Sequence, residues 1–176
     1  VTLTTGEYLE PRRPLPNFSL IDQRDRAFGP AELAGHWSML FFGYTNCPDF
    51  CPTTLTVLAG LEQALNAQHA PISPQVVFVS VDAKRDTPAQ LSKYVPYFAA
   101  DFLGVTAPDQ ATIEAFASKL NVAVVLEPKP DGGYAVDHWG GIFVLDPHGR
   151  IAAILTGPFT VAGLKADFEH IVAAGA

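Results

Sequence analysis

The 176 residues include only one methionine and two cysteines. Met39 lies inside the apolar run Trp37–Gly43, which excludes a metal site built from several thioethers. Two cysteines also cannot by themselves close a structural zinc site, which takes four ligands. Long hydrophobic runs are missing. Stretches such as Val76–Val81 and Ile142–Leu145 fall far short of the roughly 20 apolar residues that span a bilayer as a helix. Positive charge is scarce as well, with 11 Lys and Arg against 18 Asp and Glu and a net charge of −7. Nucleic-acid affinity comes mostly from cations neutralising phosphates, so this balance argues against a nucleic-acid partner. The cations are scattered apart from Arg12-Arg13 and Lys84-Arg85. An acidic surface suits a positively charged partner or a metal cation. No basic-then-apolar leader opens the chain, which begins at Val1, so a mature or engineered fragment is expected, with any leader or anchor left out.

What is present describes one globular domain, with 48% hydrophobic and 16% charged residues. Residues 1–14 are expected to be an extended lead-in and 15–176 the domain. Phe18–Asp22 and Arg26–Phe28 read as a small hairpin. Trp37–Gly43 and Val76–Val81 read as buried strands. Pro52 suits the first residue of a helix that Leu55, Leu58, Leu61 and Leu65 carry to about Gln68. Helices are expected from about Pro88 to Ala99 and after Pro108, where Ile113, Phe116, Ala117 and Leu120 share a face. Asn121–Leu126 reads as a short strand, and Gly141–Asp146 with Arg150–Leu155 as a hairpin. A last helix covers Val161–Ala173. Strand-helix alternation ending in an antiparallel pair implies an α/β protein with a mixed central sheet and helices on both faces. That order matches a thioredoxin-like fold with an N-terminal hairpin and an inserted helix.

The chemistry concentrates in Tyr44-Thr-Asn-Cys-Pro-Asp-Phe-Cys-Pro52. Cys47 and Cys51 fall where a buried strand ends and a helix begins. Free amides of a first helical turn and the helix dipole favour thiolate over thiol there. Thiolate is both the attacking species in disulfide exchange and the ligand for soft metals. Four-residue spacing brings two helical side chains to one face, so the sulfurs are expected to converge. A disulfide, a redox pair, a pair of metal ligands and an inert pair all stay open on these residues alone.

Two thiolates with one imidazole would suit Cu(I) or Cu(II). Of the five histidines, His36, His69, His148 and His170 read as ordinary surface or helix-end residues. His138, in Val136-Asp-His-Trp-Gly-Gly-Ile142, precedes the C-terminal hairpin; in a thioredoxin-like fold that loop faces the helix-start cysteines. Asp82, Arg85 and Asp86 read as a solvated turn with a local ion pair, or as a partner-recognition loop.

The run Phe42–Leu55 closely resembles the signature of the Sco family of copper-binding, thioredoxin-like proteins. Val79-Ser-Val-Asp-Ala-Lys-Arg-Asp-Thr-Pro88, Val136-Asp-His138 and Phe143-Val-Leu-Asp-Pro147 follow in the family's order, so the resemblance runs from about Leu15 to Val172. It implies copper, as Cu(I) or Cu(II), held by Cys47, Cys51 and His138, with Cys47 and Cys51 also a redox pair. It implies a metallochaperone of the dinuclear copper site of cytochrome c oxidase, delivering copper, reducing the target's cysteines, or both. The implied partners are the oxidase's copper-bearing subunit and another copper chaperone or a thiol reductant. The implied location is the extracytoplasmic, periplasmic face of a bacterial membrane or the mitochondrial intermembrane space, commonly with an N-terminal membrane tether. Where the family commonly has Ser or Thr after the histidine, this chain has Trp139. A metal-independent thiol-disulfide oxidoreductase and a copper- or redox-sensing module use the same residues.

Overall fold

The structure, a computed structural model, describes residues 1–176. Its centre is strand β4 (Ser38–Gly43), buried at every position. Successive side chains of a strand point to opposite faces. Met39 and Phe41 therefore enter one core and Leu40 and Phe42 the other. β4 runs parallel to β5 (Gln75–Ser80), and β5 parallel to β6 (Leu103–Thr106). On the other side of β4 lies the antiparallel hairpin of β9 (Ile142–Leu145) and β10 (Arg150–Leu155). The edges are β1 (Gly6–Pro14), antiparallel to β10, and the hairpin of β2 (Leu20–Asp22) and β3 (Ala27–Phe28), antiparallel to β6. The sheet order is β1-β10-β9-β4-β5-β6-β2-β3.

Helices close both faces of this sheet. Leucines 55, 58, 61 and 65 of α2 (Phe50–Ala67), Leu91 of α3 (Pro88–Tyr94) and Leu164, Phe168 and Ile171 of α5 (Val161–Ala173) pack with Met39. Leu33 of α1 (Pro30–Leu33) and Ile113, Phe116 and Ala117 of α4 (Gln110–Lys119) pack with Leu40. A second, two-stranded sheet of β7 (Val124–Pro128) and β8 (Tyr134–His138) stands apart from the first. No helix is long and apolar enough to cross a membrane.

Several boundaries differ from the sequence reading, each for a local reason. α2 starts at Phe50 rather than Pro52, so Pro52 is its third residue, where its missing N–H still costs no intrahelical bond. α3 stops at Tyr94 rather than Ala99 and tightens into a 3-10 turn, Val95–Tyr97, at Pro96, which has no amide to continue the ladder. Asn121 ends α4 with a φ of 59° instead of opening a strand, and β7 begins three residues later. β6 and β8 were not anticipated. Residues 1–14 contribute β1, and Asp167 of α5 accepts from the amides of Thr4 (2.7 Å) and Thr5 (2.8 Å).

A candidate dithiol and imidazole centre

The centre is built where β4 leaves the sheet. α3, α4 and α5 are each capped by a side chain, Thr87, Asp109 and Thr160, that accepts from a first-turn amide. The cap of α2, Asp49, makes no such bond. Its unclaimed amides go to sulfur instead. The Cys47 sulfur accepts from the backbone of Asp49, Phe50 and Cys51 and pairs with the Cys51 thiol. The hydrogen bond from Cys51 is the main cause, and the amides add to it, so that the Cys47 thiol is held at about 6 against the opposing effect of burial. Cys51 shifts the other way. Its hydrogen bond to Cys47, burial and the Cys47 charge push its thiol far up. Both cysteines are free thiols, Cys47 half-buried and Cys51 with no exposed surface.

The convergence of the sulfurs is therefore not the helical-face geometry that the spacing implies. Cys47 precedes α2, in a turn closed by its own amide donating to the Tyr44 carbonyl at 3.1 Å. Only Cys51 is helical. It fits beneath the end of β4 because residue 43 is glycine: a Cβ there would stand 2.9 Å from the Cys51 sulfur and 2.5 Å from the Phe78 ring.

His138 is the last residue of β8 and is half-buried. Tyr134, Val136 and His138 share one strand face, and Val136 on that face belongs to the core. This face turns His138 towards the cysteine loop. Tyr44 meets its ring edge-to-face, with centroids 6.0 Å apart, and a cavity of about 260 Å³ is lined by Tyr44, Cys47, Phe50, Val136, His138 and Gly140 among others. His138 Nδ1 is 2.9 Å from the Trp139 carbonyl, which makes Nδ1 the protonated nitrogen and leaves Nε2 with a free lone pair. Burial lowers its pKa and favours the neutral ring. The Trp139 indole packs on Phe143, centroids 5.0 Å apart, and does not line the cavity that holds Cys47.

Cys47 and His138 thus share a cavity and Cys51 touches Cys47, but no three His, Cys, Asp or Glu side chains stand close enough to hold a metal ion. The other four histidines are exposed. Two sulfurs and a neutral imidazole form a donor set of the kind that suits copper. Sequence reasoning missed Tyr44 as the ring against His138; the local ion pair expected in the 82–86 loop forms, Arg85 with Asp82, but the turn is not solvated. Asp82 and Asp86 are fully buried. Asp86 accepts from the Thr45 amide (2.9 Å), the Thr45 hydroxyl (2.6 Å) and the Ser80 hydroxyl (2.6 Å), and burial still raises its pKa.

The fold and this centre define a thioredoxin-like protein with a dithiol at a helix start and a histidine across from it. The chain belongs to the SCO1/SenC family, whose match covers residues 7–173. It is 35% identical over 160 residues to a "Putative copper-binding protein" of Stutzerimonas stutzeri, covering 91% of this chain and 78% of that one. It is 37% identical over 134 residues to the bovine (Bos taurus) "Protein SCO2 homolog, mitochondrial", covering 76% of this chain. It spans only 50% of that relative's length. The structure of Arabidopsis thaliana ScoI with copper bound superposes with a TM-score of 0.86 at 28% identity, covering 91% of this chain and 98% of that one.

Proposed function

We propose that this protein is an extracytoplasmic copper metallochaperone that serves the dinuclear copper site of cytochrome c oxidase. Cys47, Cys51 and His138 would hold the ion, the sulfurs through thiolates and His138 through Nε2. The observation that carries this reading is the shared cavity, in which a stabilised sulfur at the start of α2 faces a neutral imidazole on β8. Relatives named for copper and for mitochondria support the metal and a location outside the cytoplasm, periplasmic in a bacterium. The partners would be the oxidase's copper-bearing subunit and, upstream, a second copper chaperone or a thiol reductant. Titration of the reduced protein with Cu(II) should produce a thiolate-to-copper charge-transfer band. His138→Ala should weaken binding by more than the roughly 10- to 100-fold that losing a ligand's supporting partner costs. No such band, or indifference to His138→Ala, would overturn the three-ligand set.

The opposite shifts of the two thiols favour a second reading, a thiol-disulfide reductant that needs no metal. The Cys47 thiolate would attack a disulfide sulfur of the target, forming a mixed disulfide and releasing the target's other sulfur as thiolate. Cys51 would then lose its proton and attack Cys47. The target leaves as a dithiol, and two electrons pass to it as Cys47–Cys51 becomes a disulfide. Reduction of a cysteine-bearing oxidase peptide by metal-free protein tests this step, and no turnover would remove it.

A further inference from the structure

The strand that carries His138 is held by a polar grip on its other end. Tyr134, the first residue of β8, donates its hydroxyl to Asp82 Oδ1 at 2.7 Å. Arg85 Nε pairs with Asp82 Oδ2 at 2.5 Å, and the Arg85 guanidinium lies 3.7 Å from the Tyr134 ring centroid. The phenol is thus fixed at its tip by a buried carboxylate and on its face by a cation. The hairpin is also held by Val136 in the core, with Val124 packed against it, and by Tyr44 against His138. β7 is exposed at four of its five positions, and a two-stranded hairpin is marginally stable alone.

The same short loop also holds the cysteine side. Asp86 fastens Thr45, two residues before Cys47, through the amide and the hydroxyl, and its own amide donates to the Asp82 carbonyl at 2.8 Å. Residues 82–86 therefore grip both halves of the centre, Thr45 on one side and Tyr134 on the other. Because Tyr134 and His138 share a face of one strand, movement at the phenol is passed along β8 to the imidazole.

We propose that Tyr134, gripped by Asp82 and Arg85, is a positioning residue that sets the placement of His138 opposite Cys47. The inference rests on His138 being a copper ligand. Tyr134→Phe keeps the ring over Arg85 and removes only the bond to Asp82. It should weaken Cu(II) binding about tenfold, the lower end of what a supporting partner contributes, and should have no effect on binding in a His138→Ala background. In metal-free protein it should speed amide exchange at residues 134–138. The alkylation rate of Cys47 and its pH midpoint should stay unchanged, which a general loss of structure would not allow. Equal weakening in both backgrounds, unchanged affinity in the single variant, or unaltered exchange at 134–138 would overturn the grip. If His138→Ala itself leaves binding unchanged, the ligand set is what fails. Loss on His138→Ala with indifference to Tyr134→Phe removes the positioning role alone.

Discussion

The two halves of the centre rest on different foundations. Cys51 has no exposed surface and sits against the end of β4, a central strand bonded on both sides and buried on both faces. His138 ends a hairpin outside the main sheet, held by Val136 in the core, the grip on Tyr134 and the contact of Phe50 with Gly140, where a Cβ would stand 2.4 Å from the phenyl ring. The buried Cys51 sulfur is thus placed against the central strand, and the imidazole by the small two-stranded sheet. On the proposed function, that division would let His138 move while the dithiol keeps its geometry.

The comparison breaks most readily in hydrogen exchange. Amides of β4 should exchange only on global unfolding and those of β8 by local opening, a separation on the order of 100-fold or more. Equal protection would make the two halves one rigid body. Next in size, Gly43→Ala should strike only the cysteine half. Its Cβ would overlap Phe78 and the Cys51 sulfur, and overpacking of this kind costs about 2 kcal/mol, measurable by denaturant unfolding. An unchanged midpoint would show that β4 can yield at its end.

The smallest effect is in pH. With the Cys47 thiol at about 6 in the folded protein, its thiolate is nearly complete at pH 8 and falls roughly tenfold by pH 5, and alkylation should follow. The sign at His138 is opposite in consequence. Burial lowers the His138 pKa, so its ring stays neutral at pH values where an ordinary histidine begins to charge. A His138 ring that titrates at or above the usual histidine value, followed by NMR in metal-free protein, would remove the effect of burial there. An alkylation midpoint near that of an ordinary thiol would remove the helix-start effect.

Much of this was legible from residues. β4 and β5 show as apolar runs, α2 as periodic leucines and α5 as an amphipathic stretch, and the cysteine motif lies where β4 gives way to α2. β8 was not legible as a strand because Tyr134-Ala-Val is apolar throughout and Asp137-His138 polar, with no period-2 alternation, and Gly132-Gly133 precedes it. The buried state of Asp82 and Asp86 was hidden for a different reason. A charged turn reads as solvated unless its partners are known, and Thr45, Ser80 and Tyr134 come from three separate segments.

The sequence by itself determined the thioredoxin-like order of elements and the dithiol at a strand-to-helix junction, whereas His138 was reached only through the fold that order implies and the family it resembles. The order and the dithiol are matters of local pattern and spacing. The exposed loop already marked Cys47 as the attacking thiol, but only the tertiary structure supplied the cause, because the Cys51 thiol and the α2 amides donate to the Cys47 sulfur while the bond to Cys47 and burial push Cys51 up. It also decided how His138 is held, since hydrogen bonds between distant segments carry no signature in the order of residues along the chain.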